Sequence, residues 1–349
     1  MPQKIGSCEV SFGIAGWSYP DWEGVVYPPG TRDKLRWLAG FVDLIEVNAS
    51  FYAFLTPANA EDWLARTADL PDFRFAAKAN RVFTHEREDA AGPPEAHATR
   101  AFLEPLRRSE RLAALLFQFP FSFRDGAEAR HRLERIADAF RGLPLVAEVR
   151  HASWQTPEAL GFLGETGFSV ANIDLPTGSQ GFAERLAKTG EPGYLRLHGR
   201  NAAEWFRTDA GRDARYDYLY GDEELEELAE RIEELARRFR QLVIVTNNHY
   251  RGQALANLAE LAVRTGGPRW PLPAPLLATY PRLAAVGYAV SPPPQGKPER
   301  KASGGEEGKA AAVGGGTHRR AAAPASAQGD LFESRDPGPS SAPHAEGSG

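Results

Sequence analysis

Eight short apolar runs alternate with longer amphipathic stretches along the first 266 residues of this chain. The runs cover residues 10–17, 44–48, 73–78, 112–119, 143–150, 168–174, 193–198 and 242–247, each bounded by Gly, Pro or charge. Runs of that length and composition read as strands buried on both faces. The stretches between them read as helices over 31–40, 59–70, 96–108, 127–140, 157–164, 223–238 and 252–265, with an irregular one at 182–188. In 223–238, Leu225, Leu228, Ile232, Leu235 and then Phe239 recur at spacings of three and four. The opposite face is almost entirely Glu and Arg, which is expected to be solvated.

A strand followed by a helix, eight times over, predicts an α/β fold, a (β/α)8 TIM-type barrel, over residues 1–269. An open doubly wound sheet would carry a Gly-rich phosphate turn after its first strand. Here that turn reads GWSYPDWEG, which favours the closed barrel. Residues 270–290 form a transitional segment against it. From 291 to 349 the chain turns to Pro, Gly, Ala and Ser with scattered charge, which cannot bury enough apolar surface to fold and predicts a disordered tail.

Strand parity then places the polar residues. The outward face of a barrel strand packs under helices, so charged side chains are expected to point inward. That aims Glu46 and Asn48 into the barrel, with Lys78, Gln118, Glu148, Arg150, Arg196 and His198; Asn172 and Asp174 share one face of their strand. All lie at the C-terminal ends of their strands, which surround the one mouth where barrel enzymes carry their sites. The loops that follow add Trp17, Tyr19, Tyr52, Trp154, Asn247, Asn248 and His249.

The chemistry of this set is that of proton transfer beside an anion. Lys78, Arg150 and Arg196 suit phosphate or carboxylate. Glu46, Glu148, Asp174 and His198 are the candidate acids and bases. Trp17, Tyr52 and Trp154 offer flat surfaces to a sugar or a base. The expected activity is acid–base chemistry, of hydrolase, lyase or isomerase type, on a phosphorylated or nucleotide-like substrate. A non-catalytic module for nucleic acid or a metabolite is the alternative. His198, His249, Glu148 and Asp174 would also serve a metal-dependent hydrolase or isomerase, but the neighbouring Lys78, Arg150 and Arg196 oppose a dication, so no cofactor is expected. The loop between residues 198 and 221, with Tyr216, Tyr218 and Tyr220, reads as a lid or a cover for the barrel end.

Bulk composition narrows the setting. The net charge of −5 leaves no global basic field to draw the chain onto nucleic acid. Cys8 is the one cysteine, which excludes an internal disulfide and a Cys-rich zinc site and fits a reduced cytoplasm. No secretory leader and no run of 18 uncharged apolar residues is present, so a cytoplasmic protein with no membrane contact is expected.

The motifs GWSYPDW, EVNASFY, KAN, QFP, EVRHASW, YLRLHGR, RYDYLY and NNHYRGQALAN occur in this order over residues 12–261. They resemble those of the YecE-like family, domain of unknown function 72. The resemblance implies a TIM barrel, distantly similar to the xylose-isomerase and endonuclease IV group, and carries no established activity. Thr246 stands where many relatives have Phe, which implies altered local packing.

In the tail, Gln328, Gly329, Asp330, Leu331 and Phe332 read QGDLF. This resembles the pentapeptide that binds the bacterial sliding clamp, with Leu331 and Phe332 filling an apolar pocket, Gln328 hydrogen bonding and the tail acting as a tether. It suggests recruitment to DNA replication or repair.

Overall fold

The structure, a computed structural model, describes residues 2–86, 91–176, 186–205, 207 and 212–290. Its centre is a ring of eight parallel strands: β1 (Cys8–Ala15), β2 (Leu44–Val47), β3 (Arg74–Lys78), β4 (Leu112–Gln118), β5 (Leu145–Glu148), β6 (Phe168–Asp174), β7 (Gly193–Leu197) and β8 (Gln241–Thr246). Each pairs with the next, and β8 returns to β1 with Val10 opposite Leu242 and Phe12 opposite Ile244, which closes the barrel. The apolar runs therefore form the strands expected of them. The ladder ends a residue or two before several runs do, so Val149, Arg150 and His198 sit just past it at the mouth.

Helices follow the strands as the periodicity predicts. Three open with Pro at the first position, Pro57–Arg66, Pro93–Arg108 and Pro157–Glu165, where the missing N–H costs nothing. The Thr156 hydroxyl caps the third by accepting from the Ala159 N–H at 3.1 Å. The expected helix 182–188 falls mostly outside the described residues, and its described part, 186–188, is not helical. A short strand not foreseen, Gln3–Ile5, pairs antiparallel with the start of β1.

The segment 270–290 is packed onto the barrel. Trp270 meets Phe12 edge-on at 5.9 Å and donates its indole N–H to the Phe41 carbonyl at 2.8 Å. Arg282 pairs with Glu260 at 2.7 Å. Thr246 shows what the polar replacement does: its hydroxyl lies 3.0 Å from the Ala254 carbonyl, tying β8 to the helix Gln253–Arg264.

Close strand approach fixes one glycine. A Cβ on Gly13 would sit 2.5 Å from the Leu44 carbonyl oxygen of the adjacent strand. Gly13→Ala is expected to cost about 1–3 kcal/mol through forced displacement of β2, read as a lower urea midpoint at unchanged slope. A midpoint equal to that of the parent would mean that the strands separate there without cost.

Candidate functional site

Arg196 on β7 is the hub of the mouth. It is almost fully buried, as are its two carboxylate partners. One guanidinium nitrogen donates to Glu46 Oε1 on β2 at 2.7 Å and another to Glu148 Oε2 on β5. Tyr194, two residues earlier and therefore on the same face, donates its hydroxyl to Glu46 Oε2 at 2.9 Å. Glu148 Oε1 accepts from the Gln118 amide at 2.7 Å and from Arg150 Nε at 3.0 Å, and His198 Nε2 lies 3.4 Å away. Asn247, just past β8, sits 3.0 Å from His198 Nδ1. Strands β2, β4, β5, β7 and β8 thus contribute to one polar network at one end of the barrel.

Electrostatics sets the protonation of this network. Burial alone would raise the Glu148 carboxyl, but the Arg196 charge, with His198 and Arg150 behind it, holds it well below the usual carboxylate range. Burial pushes His198 down, and the Arg196 charge adds to that against the pull of Glu148. The imidazole is therefore neutral at neutral pH. Burial, then the Glu46 charge, pushes the Tyr194 phenol well up, so it stays a donor.

A second set of rings lines the same end. His249 stacks on Tyr19 at 4.3 Å and 12°, and meets Tyr216 at 4.9 Å. Tyr216 meets Trp205 edge-on at 5.9 Å, and Trp205 meets His198 at the same separation. Across the mouth, Lys78 Nζ lies 3.9 Å from the centre of the Phe51 ring.

Sequence comparison matches residues 11–277 to the family described as "Protein of unknown function DUF72". The chain belongs to the DUF72 family. It is 29% identical over 263 residues to the UPF0759 protein YunF of Bacillus subtilis (strain 168), covering 71% of this chain and 92% of that protein. The crystal structure of a DUF72 family protein from Thermotoga maritima MSB8 is similar at 33% identity and a TM-score of 0.64, covering 71% of this chain and 96% of that one. One from Enterococcus faecalis V583 is similar at 25% identity and a TM-score of 0.65, covering 73% and 95%.

In this DUF72 barrel several residues that parity or loop position drew to the mouth serve elsewhere. Asp174 does share a face with Asn172, but it is the face that Phe168 turns towards Phe117 and the helix layer. Its carboxylate is held by Arg200 at 2.7 Å and the Tyr220 hydroxyl at 2.6 Å, with Arg231 at 3.6 Å. The inward expectation fails there because the helix Asp222–Ala236 supplies Arg231 from its buried side, so that side is not wholly apolar. Asn172 pairs with both backbone groups of Ala187. Trp154 is fully buried, stacked on Phe123 at 5.4 Å. Asn248 donates to the Tyr218 carbonyl at 2.8 Å and to Asn257 at 2.9 Å, locking the long loop to the last barrel helix. Tyr218 donates to Glu224, so with Tyr220 it is a cover, whereas Tyr216 reaches the ring set.

Asn48 is half-buried at the start of the helix Ala49–Tyr52, Trp17 leans edge-on against Trp63 at 5.4 Å, and Tyr52 is exposed at the rim. Among the described residues no three His, Cys, Asp or Glu side chains are grouped as a metal ion requires. No described helix is long and apolar enough to cross a membrane. Extending the parity of Arg196 and His198 back two residues reaches Tyr194, whereas nothing in the sequence aims Trp205. The residues Gln328, Asp330, Leu331 and Phe332 lie outside the described residues.

Proposed function

We propose that the mouth is an active site for proton transfer on a small phosphorylated substrate in the cytoplasm. The observation that carries this is the gathering of buried cations, carboxylates and a histidine at one end of the barrel. Arg150 and Arg196 bracket Glu148, Arg196 also holds Glu46, and Lys78 is buried at the end of β3 beside β2, where water is largely excluded. Three cations gathered in a low-dielectric setting favour an anionic ligand. Glu148 is held too acidic to serve as a base at neutral pH, and Glu46 is spanned by Arg196 and Tyr194. The proton carrier in this scheme is therefore His198, neutral and oriented between Glu148 and Asn247.

The test is a turnover screen of the purified protein against nucleotides and sugar phosphates. A converted substrate is expected, with His198→Ala lowering kcat by about 10²–10⁴ while ligand affinity stays within a few-fold. A ligand held tightly and never converted would sink the enzyme scheme. It would favour a binding module, for which the arginine pairing of both buried glutamates already speaks.

Recruitment to DNA through the QGDLF segment is a separate part of the proposal, supported by the sequence alone. A peptide covering residues 327–334 is expected to bind bacterial sliding clamp weakly, and replacing Leu331 and Phe332 by Ala to remove that binding. No clamp binding by the intact protein at micromolar concentrations would end the recruitment idea without touching the barrel.

A further inference from the structure

A neutral imidazole carries a single proton, and the nitrogen that holds it decides where the ring donates and where it accepts. His198 is fully buried, and each of its nitrogens has a polar neighbour. Nε2 faces the ion pairs of the barrel interior, 3.4 Å from Glu148 Oε1 and 3.4 Å from Arg196 Nη1. Nδ1 faces Asn247, whose amide nitrogen lies 3.0 Å away. The charged groups that act on the ring are Glu148 at the end of β5, Arg196 on β7 and Arg150 just after β5. Trp205, in the loop after β7, meets the ring at 5.9 Å and brings no charge.

An amide nitrogen donates and cannot accept, so the contact at Nδ1 needs a bare lone pair on that nitrogen. The ring proton then falls to Nε2, where an ionised carboxylate is at hand. Electrostatics points the same way: after burial, which lowers the ring's pKa, the largest influence is the pull of Glu148, ahead of the push of Arg196. Without Asn247 a second arrangement would compete, with Arg196 donating to a bare Nε2 and the proton on Nδ1. We propose that Asn247 is a positioning residue that holds His198 as the Nε2–H tautomer. This rests on the reading of His198 as the proton carrier and adds the atom: the basic lone pair is at Nδ1, turned away from the ion pairs. A substrate proton is then accepted at Nδ1, in the place that the Asn247 N–H holds in the free protein. The substrate keeps the electron pair of the broken bond, and the ring becomes an imidazolium facing Glu148.

The test needs no substrate. The full chain, labelled with heavy nitrogen, would be read by long-range proton–nitrogen correlation NMR of its histidine rings at a pH where His198 is neutral. The His198 signals are assigned through His198→Ala. In the parent, Nε2 is expected to be protonated and Nδ1 bare. Asn247→Asp offers Nδ1 acceptors only, so the proton is expected to move to Nδ1, and the added negative charge to raise the His198 pKa. Asn247→Ala removes the donor without replacing it, and both tautomers should then be populated. A side chain that only filled space would leave the tautomer where it is. Thermal melts matching the parent would show that each variant is folded, and Asn247→Asp, nearly the same in shape, carries the test should Asn247→Ala not fold. An Nδ1–H ring in the parent, or an Nε2–H ring kept by both variants, would overturn the proposal. Should the turnover screen fail while the tautomer follows residue 247 as expected, the proton-transfer reading falls and the hold of Asn247 on His198 stands.

Discussion

Arg196→Ala is expected to leave little folded protein at neutral pH. The guanidinium is the shared partner of two carboxylates that are themselves fully buried, Glu46 and Glu148. Removing one member of a buried ion pair costs about 3–5 kcal/mol, because the other charge remains in a medium that cannot solvate it. Here two charges are left at once, against a total stability of about 5–15 kcal/mol for an ordinary domain. Arg150 still touches Glu148, but Glu46 keeps only the Tyr194 hydroxyl among its described partners.

The pH dependence gives the test its sign. In the parent, Glu148 is depressed below its ordinary value of 4.5, so its contribution is present above about pH 4.5 and is lost as pH falls through the lower folded-state value. Without Arg196 the largest opposition to burial at Glu148 is gone, so that carboxyl should move up instead, and stability should then improve on acidification. Denaturant midpoints between pH 7 and pH 5 should therefore rise for the variant while staying flat or falling for the parent. Arg196→Met combined with Glu46→Gln and Glu148→Gln removes all three charges together and should recover much of the loss. An Arg196→Ala protein with the parent's midpoint at pH 7 would show that the bridge does not hold the barrel mouth together.

The barrel was legible because each strand is a short apolar run and each connection has helical periodicity. The central network was legible for a related reason: Glu46 between Ile45 and Val47, or Arg196 between Leu195 and Leu197, interrupts an outward apolar face with a lone inward charge. The same rule misplaced Asp174, because it assumes that the helix side is apolar. Arg231 lies among Leu228, Ile232 and Leu235 on the buried stripe of its helix, and that spacing could have warned of a charge partner there. Loop residues were less legible still. Trp154 and Asn248 follow strand ends just as Tyr19 and His249 do, yet the first two are used to lock loops and the last two stack on each other. Only tertiary contacts separate those cases, since a loop has no period from which to read a direction.

Glu148→Gln shows how geometry changes the meaning of an experiment. From the sequence it is the natural probe of an acid or base, expected to abolish turnover and leave the fold intact. In the structure the carboxylate is the anion between two arginines, with Gln118 and His198 also against it. A glutamine there keeps the shape but deletes the charge, and one end of its amide presents N–H groups to the N–H groups of its neighbours. The expected loss is about 3–5 kcal/mol, as for a broken buried pair, visible as a lower midpoint in urea before any assay is run. Glu148 also pulls the His198 pKa upward against burial, so its removal should depress that histidine further. Histidine NMR titration of parent and variant reads this directly, with the His198 resonances assigned through His198→Ala. A Glu148→Gln protein that keeps the parent's midpoint and an unmoved His198, yet loses turnover, would return the acid–base role to Glu148 itself. A fallen midpoint with a depressed His198 would identify Glu148 as the counter-charge that organises the mouth, and leave proton transfer with the histidine.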